Sequence, residues 1–309
     1  MAKGNYSAVS EFILLGLTDN PELQATLFGV FLVIYFASIL GNLGLIVLIQ
    51  VSPQLHTPMY FFLSHLAFID FSFTSSVTPN TLVNFLCEVK SITFYACVIQ
   101  VCCFITSVAC EQYLLSVMAY DRSFATLYSM PSSCLKSSVI GPFFSVAFLH
   151  TVVTFRLIYC GPNAINHFYC DDVPLMALAC SDTSLKEILI FIFAGFNMIS
   201  SLTTVLISYL YFVAAILRIQ SAEGRRKASS TCGSHLTAVT VFYGTLIFMY
   251  LQPKSNHSLD TDKMASVFYT IVILMLNPMI YSLRNQEVKN ALRKAFEKCY
   301  FLSLIYIRM

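Results

Sequence analysis

Residues 27–49 read LFGVFLVIYFASILGNLGLIVLI and contain no charged side chain. An α-helix needs about 20 apolar residues to cross the hydrocarbon core of a bilayer, so this stretch is long enough to span a membrane. Six further apolar stretches follow it, at residues 57–82, 96–120, 137–155, 187–217, 235–252 and 265–283. The pattern predicts one domain, residues 1–309, with an all-α fold of seven transmembrane helices, of which the fourth is the shortest.

The composition also indicates that lipid is the solvent of this chain. Hydrophobic residues make up 57% of it and charged residues only 11%, with a mean hydropathy of +0.72. A soluble domain usually carries about 25% charged residues, so this one lacks the polar groups to cover a surface in water. The net charge of +2 gives no indication of nucleic-acid binding.

Lysine and arginine are unevenly divided between the two sets of loops that seven crossings would create. One set, together with the C-terminal tail, holds twelve of the 18 basic residues, and the other set holds six. An excess of Lys and Arg marks the cytoplasmic side. We therefore expect a plasma-membrane protein with an extracellular tail (residues 1–26), a helix bundle (27–283) and a cytoplasmic tail (284–309). Asn5 begins a glycosylation sequon in that outer tail.

Four cysteines fall on the predicted outer side, where thiols are oxidised. They are Cys97 at the top of the third helix, and Cys160, Cys170 and Cys180 in the long loop after the fourth. Four cysteines allow two disulfides in three pairings, and the spacing does not choose among them.

Two acids lie inside predicted transmembrane helices, where an ionisable side chain is costly. They are Asp70 in the second helix and Glu111 in the third. In one interpretation both coordinate a small cation, sodium, through their oxygen atoms. In the other, one or both are protonated and hydrogen-bonded within the packing. The residues alone do not favour either interpretation.

Asp121-Arg122 ends the third helix on the cytoplasmic side. The pair is either a surface ion pair or a latch that holds Arg122 in one conformation and releases it in another. Tyr209 and Tyr281 lie toward the inner ends of helices five and seven, where their hydroxyl groups can rearrange with Arg122. Local sequence alone favours the surface pair.

The outer halves of helices three, five, six and seven are expected to enclose any ligand cavity. Spacing along the third helix places Phe104, Ile105 and Val108 on one side. The residues expected to face them are Phe193, Asn197, Tyr243, Tyr250 and Thr270. This mostly apolar and aromatic lining suits a small lipophilic molecule better than a charged amine or a peptide. For each residue singly, ordinary packing between helices is the alternative.

Several local signals concern helix ends. Thr57 is expected to cap a helix that begins at Pro58, and the basic segment 221–227 is expected to form a cytoplasmic turn. Asn277-Pro278 provides a hinge, because proline removes a backbone hydrogen bond inside the last helix. A short amphipathic helix is expected on the inner membrane surface. Its apolar residues recur at Val288, Leu292 and Phe296.

Two other classes of function are less favoured. A transporter or channel would need a continuous polar path, whereas Asp70 and Glu111 supply a single polar cluster. The histidines lack the spacing of metal ligands, and neither a phosphate-binding loop nor a serine nucleophile motif is present. We therefore expect no enzyme, and no cofactor other than a structural sodium ion.

Four segments together resemble the odorant receptors, a branch of the rhodopsin-like G-protein-coupled receptors. The segments are LHTPMYFFLS at residues 55–64, MAYDR at 118–122, KASSTC at 227–232 and NPMIYSLRN at 277–285. The resemblance covers nearly the whole chain. It implies a seven-helix receptor that binds a small volatile odorant and activates a stimulatory, olfactory-type G protein.

The resemblance also implies roles for single residues. Asp70 and Glu111 match the family's sodium-site acids, and Asp121-Arg122 matches its activation latch. Asn42 and Pro278 match its hinge positions. Cys97 matches the cysteine that is bonded to the outer loop. Cys170 is the favoured partner, which leaves Cys160 with Cys180, and a Cys97–Cys180 bond is the alternative.

This chain departs from the family after Arg122. The family continues with Tyr-Val-Ala-Ile-Cys and a Pro-Leu pair, whereas residues 123–129 read SFATLYS and the region through the fourth helix is several residues shorter. Because the second cytoplasmic loop contacts the G protein in this family, the alternative function is a signalling-impaired receptor relative. That alternative predicts low surface expression or weak signalling.

Overall fold

The computed structural model describes residues 10–125, 140–159, 163–218, 221–250 and 259–308. Helices account for most of this length. They are α1 (Pro21–Val51), α2 (Pro58–Leu86), α3 (Phe94–Ala125), α4 (Ile140–Phe155), α5 (Asp172–Ala177), α6 (Ser184–Arg218), α7 (Ala222–Tyr250), α8 (Leu259–Val267), α9 (Leu274–Arg284) and α10 (Gln286–Arg308). A six-residue π-helical segment, Phe268–Ile273, joins α8 to α9.

A helix lies on each of the seven apolar stretches. By length and composition, four helical segments could cross a membrane: Pro21–Val51, Phe94–Tyr120, Ser184–Arg218 and Lys263–Ile280. Shorter apolar helices run over Ser145–Phe155 and His235–Ile247. The described part of α4 is 16 residues long, so it rises only about 24 Å at 1.5 Å per residue. These observations support a multi-pass membrane protein.

Helix starts follow the predicted chemistry in part. The Asn20 side chain accepts hydrogen bonds from the backbone N–H groups of Glu22 and Leu23, at 3.0 and 3.4 Å, and Pro21 opens α1. The second helix begins at Pro58 as predicted, with Thr57 at its N-cap position. The Thr57 side chain makes no capping hydrogen bond, so proline alone marks this helix start.

The predicted turn at residues 221–227 is wrong, because α7 already begins at Ala222. Ala, Glu, Arg and Lys are strong helix formers, and the segment contains no proline. The prediction placed the start of this helix where the apolar stretch begins, at residue 235. The helix instead begins earlier, with a polar extension that precedes the apolar stretch.

The bundle has two ends that differ in structure. At the sheet end, β1 (Glu11–Leu14) pairs antiparallel with β2 (Ser91–Thr93) and parallel with β3 (Ala164–Ile165). Phe12 is fully buried there between the rings of Phe94 and Tyr159, with centroid distances of 6.3 and 5.7 Å. The sequence analysis did not predict this sheet.

At the tail end, α10 packs on the bundle. The predicted amphipathic helix is present and longer than expected, since it reaches Arg308. Its Val288 is fully buried, whereas Phe296 is exposed. The Tyr60 hydroxyl of α2 lies 3.2 Å from Asn285 Oδ1 and 2.8 Å from Glu287 Oε2, which fixes the start of α10 against α2.

Helix α3 lies at the centre of the packing, in contact with α2, α4 and α6, while α1 packs on α2 and α9. One apolar cluster fills the middle of the bundle around Phe73, Phe104 and Tyr269. A second fills the tail end around Tyr60 and Met118. The polar side chains described below run between these clusters.

Candidate functional site

Asp70 and Glu111 come together in the interior of the bundle, both almost completely buried. Their carboxyl groups lie within hydrogen-bonding reach of each other. Asn277 Nδ2 donates to Asp70 Oδ2 at 2.9 Å, and the Tyr269 hydroxyl lies 3.5 Å from Glu111 Oε2. Asp70 Oδ1 and Glu111 Oε1 receive no hydrogen bond from any described residue. Two buried carboxyl oxygens are therefore left without a donor.

A second polar group connects α1, α2 and α9. Asn42 Nδ2 donates to the Leu274 carbonyl at 3.1 Å and lies 3.3 Å from Ser38 Oγ. Ser38 Oγ in turn lies 3.4 Å from Thr74 Oγ1. The Leu274 carbonyl directly follows the π-helical segment, so Asn42 contacts the irregular part of the last transmembrane stretch. The resemblance had assigned Asn42 to a hinge position.

Pro278 lies inside α9, against the backbone of α1. A Cβ atom built on Gly41 would lie only 3.1 Å from Pro278 Cγ, so glycine allows this close approach. The π-helical segment ends five residues before Pro278. The π-helical segment and Pro278 are two departures from regular α-helix within one short stretch. The helix is expected to bend there at the lowest energetic cost.

A hydrogen-bonded relay joins three helices nearer the tail end. The Tyr209 hydroxyl of α6 lies 2.7 Å from His235 Nδ1 of α7, and His235 Nε2 lies 3.1 Å from the Leu115 carbonyl of α3. His235 is completely buried. The sequence predicted a role for Tyr209 but not for His235, because a single histidine in an apolar helix shows no spacing that indicates a function.

Three other predicted activation residues lie toward the ends of their helices. Asp121 and Arg122 are in the last turn of α3, and Tyr281 is in α9. Their side chains lie outside the described part of the structure, as do Asn5, Cys160 and the side chain of Tyr250. Their predicted roles therefore stay predictions.

The predicted ligand residues of α3 face the middle of the bundle. Phe104 packs against the rings of Phe73, Tyr169 and Tyr269, with centroid distances of 5.8, 6.2 and 5.9 Å. Ile105 and Val108 pack against the same cluster. The surroundings are apolar and aromatic, as expected.

The remaining predicted ligand residues that the structure describes lie in different surroundings. Thr270 is buried in the π-helical segment, and Tyr243 OH donates to Ser201 Oγ at 2.7 Å. Phe193 packs on His150 with a centroid distance of 4.9 Å. Asn197 instead lines a cavity of about 430 Å³ between α3 and α6.

The loop between α4 and α6 is fastened covalently over the bundle. Cys97 forms a disulfide with Cys170, with a Cα–Cα distance of 5.4 Å, which confirms the pairing that the resemblance favoured. Gln100 Oε1 accepts from the Cys170 N–H at 3.1 Å and strengthens the same junction. Cys180 is also disulfide-bonded.

A buried ion pair fastens the same loop a second time. Lys186 Nζ lies 2.9 Å from Asp172 Oδ2 and donates to the His150 carbonyl at 3.0 Å. Thr154 Oγ1 donates to Asp172 Oδ1 at 2.8 Å. Lys186 is only 1% exposed, so an unpaired charge there would be very costly.

Two loop residues beside these fastenings have shifted pKa values. Burial, with a smaller contribution from the charge of Asp172, raises the pKa of Asp171 to about 7. Burial, with a smaller contribution from Lys263, lowers the pKa of His167 to about 3. At neutral pH His167 is therefore neutral, whereas Asp171 is close to half protonated.

Comparison with known proteins identifies the family. The olfactory receptor family model matches residues 31–298. Human olfactory receptor 5AL1 is 67% identical over 307 positions, covering 96% of this chain and 93% of that protein. Mouse olfactory receptor 8U3 is 63% identical over 309 positions, covering 97% of both chains.

One relative also bears on the length of this chain. Human olfactory receptor 8J2 is 53% identical over 319 positions, covering 99% of this chain and 100% of that protein. Since this chain has 309 residues, at least ten of those positions fall opposite no residue of it. A family match over most of the chain and such relatives along nearly all of it show that the protein belongs to the olfactory receptor family, whose members couple to G proteins.

Proposed function

We propose that this protein is an odorant receptor of the plasma membrane that activates a stimulatory, olfactory-type G protein. The observation that carries the proposal is family membership along nearly the whole chain. Seven crossings would place the sheet end outside the cell and the tail end in the cytoplasm. The excess of Lys and Arg in the loops and tail of the tail end supports that orientation.

The odorant binds in the half of the bundle nearer the sheet end. Phe104 and Tyr269 offer apolar and aromatic surface, and Thr270 lies buried beside them. A small lipophilic molecule suits such surroundings because few polar groups must be matched. The ligand shifts the population toward the active state by binding that state more tightly. Ile105, Val108, Phe193, Asn197, Tyr243 and Tyr250 are the other proposed contacts.

The signal leaves at the tail end. In the active state α7 moves away from α3, which requires the relay through Tyr209, His235 and the Leu115 carbonyl to open. The G protein then docks near Arg122 and the residue range 218–235. Tyr281 and the hinge at Asn277-Pro278 accommodate the movement.

A structural sodium ion fits between Asp70 and Glu111. Their donor-free oxygen atoms are of the hard oxygen type that such a cation prefers. When bound, the ion would neutralise the negative charge that two buried carboxyl groups bring into the bundle. Asn277 holds Asp70 in place through its 2.9 Å hydrogen bond.

The test uses the full chain with an N-terminal epitope in cells that express the olfactory G protein. Antibody staining without permeabilisation measures surface delivery and orientation, while cyclic AMP measures signalling against a panel of volatile compounds. We expect surface staining and at least one compound that raises cyclic AMP. Surface staining with no response from any compound would contradict the function.

Two alternatives predict different results, which need a ligand-binding measurement and a flux or current measurement in the same cells. The comparisons do not favour the signalling-impaired relative, which would bind ligand without a rise in cyclic AMP. A transporter or channel would give flux or current that depends on Asp70 and Glu111 without any G protein.

A further inference from the structure

The cavity of about 430 Å³ lies on the side of the bundle between α3 and α6. Its lining residues are Gln112, Tyr113, Ser116, Val117, Tyr120, Asn197, Ser200, Ser201 and Thr204. Tyr120 is 40% exposed and Ser200 is also exposed, so the cavity opens sideways on the surface that faces lipid. None of the described residues of α4 lines it.

Gln112 is the unusual residue of this lining. It is only 5% exposed, yet no hydrogen bond joins its side-chain amide to any residue that the structure describes. A buried amide without partners is costly, and in a membrane no bulk water replaces the missing partners. Its position in the cavity lining indicates that a polar group of a bound molecule completes its hydrogen bonding.

The other polar groups define what that molecule must offer. Ser116, Ser200 and Thr204 donate their hydroxyl hydrogens to backbone carbonyls one turn earlier, at 2.8, 3.1 and 2.9 Å. Asn197 Nδ2 donates to the Phe193 carbonyl at 2.7 Å, which leaves its Oδ1 as an acceptor. These residues present oxygen lone pairs rather than free O–H groups. None of the described lining residues is charged, so a neutral hydrogen-bond donor fits these residues best.

The cavity is also connected to the moving parts of the bundle. Ser201 Oγ lines it and accepts the Tyr243 hydroxyl of α7 at 2.7 Å, while Ser116 Oγ lies 3.3 Å from the Ser201 carbonyl. A molecule in the cavity therefore touches the junction of α3, α6 and α7. That position allows it to change signalling from the side of the bundle.

We propose that this cavity is a second ligand site, entered from the bilayer, for a neutral amphiphile that carries one hydroxyl group. The side-chain oxygen of Gln112 accepts a hydrogen bond from the hydroxyl group. The apolar body of the ligand lies against Val117 and the adjoining lipid. A membrane sterol and a medium-chain aliphatic alcohol share this chemistry. The site shares Asn197 with the proposed odorant contacts, and its other described lining residues are not among them.

The test is photolabelling of the purified full chain in phosphatidylcholine nanodiscs. The probes are diazirine analogues of 1-octanol and of cholesterol, and labelled residues are located by mass spectrometry. We expect label at residues 112–120 and 197–204, reduced by excess 1-octanol but not by octane, which lacks the hydroxyl group. If only one probe labels these residues, that probe shows whether the natural ligand is a sterol or an aliphatic alcohol. Labelling by either probe, or by both, supports the site.

Variants separate hydrogen bonding from shape. Gln112→Leu removes the polar amide while keeping a similar volume, and it is expected to reduce labelling about fivefold, the effect of one lost hydrogen bond. Thr203→Val is the control, because Thr203 is exposed on α6 and outside the cavity. Equal competition by octane, label elsewhere, or a Thr203→Val effect as large as that of Gln112→Leu would overturn the site. A failed cyclic AMP assay would leave these results unaffected.

Discussion

The two ends of this bundle are held together by different kinds of interaction. At the sheet end, a disulfide, a small β-sheet and a buried ion pair fix the outer loop. At the tail end, the described residues include an apolar cluster and single hydrogen bonds between helices at His235 and Tyr60. Strong fastenings preserve one shape, whereas single hydrogen bonds of about 1 kcal/mol each can open and close. If the odorant and the G protein bind as proposed, the comparison predicts a rigid ligand side at the sheet end and a movable signalling side at the tail end.

The largest effect is expected when the buried ion pair is broken. Lys186→Met leaves Asp172 buried without its partner, and removing one member of such a pair costs about 3–5 kcal/mol. We expect a lower melting temperature in detergent and little protein at the cell surface. Lys186→Met combined with Asp172→Asn should recover part of the loss. An unchanged melting temperature for the single variant would show that the ion pair does not hold this end.

Loss of the disulfide should come next. Cys97→Ala releases a crosslink between residues 73 positions apart and should cost about 2–4 kcal/mol. Surface staining and thermal stability should both fall. Cys102→Ala is the matched control, since Cys102 is a free cysteine on the same helix. Equal results for the two variants would contradict the assigned role of this bond.

A change at the tail end should alter signalling more than stability. His235→Phe keeps an aromatic ring but removes both relay hydrogen bonds, which costs about 1–2 kcal/mol. If the relay holds α7 on α3 in the inactive state, basal cyclic AMP per surface receptor should rise several-fold. His65→Phe is the control, because the hydrogen bond described for His65 lies within α2, to the Phe61 carbonyl. Unchanged basal signalling would remove the relay from the activation mechanism.

The smallest effect is a pH dependence at the sheet end. Asp171 has a raised pKa of about 7 in the folded state, so the folded state binds its proton more tightly and stability falls as pH rises from about 4 to 7. His167, with a lowered pKa of about 3, has the opposite effect, and stability rises as pH rises from about 3 to 6.5. The two contributions largely offset each other in the natural chain.

Single variants should reveal each contribution in melting temperatures measured from pH 4 to 7. Asp171→Asn leaves only the histidine, so stability should increase with pH up to about 6.5. His167→Gln leaves only the acid, so stability should decrease over the range. Parallel curves for both variants and the natural chain would show that neither group senses pH.

Much of the fold could be predicted because lipid imposes a simple requirement on sequence. The uncharged run at residues 27–49 is explained by little other than a membrane helix, and Pro58 marked the start of α2. The extension of α7 back to Ala222 was missed, because hydropathy reports where lipid ends and not where a helix ends. The strand Glu11–Leu14 is too short for a periodic signal, and its partners are distant in the sequence.

The candidate site was predictable only in part. Asp70 and Glu111 stood out because charge inside a membrane is costly, and the structure places them together. The Cys97–Cys170 pairing needed the family resemblance, since spacing left three choices. His235 and Gln112 gave no usable signal, because a single polar residue in an apolar helix acquires meaning only from its neighbours in space.

Hydrogen–deuterium exchange on the purified full chain, with and without nucleotide-free stimulatory G protein, compares the two ends in one experiment. We predict that the G protein changes exchange in α7 around His235 and in the last turns of α3. We predict no change in β1, β2 or α5. Changes confined to the sheet end, with α7 unaffected, would contradict the division into a rigid ligand side and a movable signalling side.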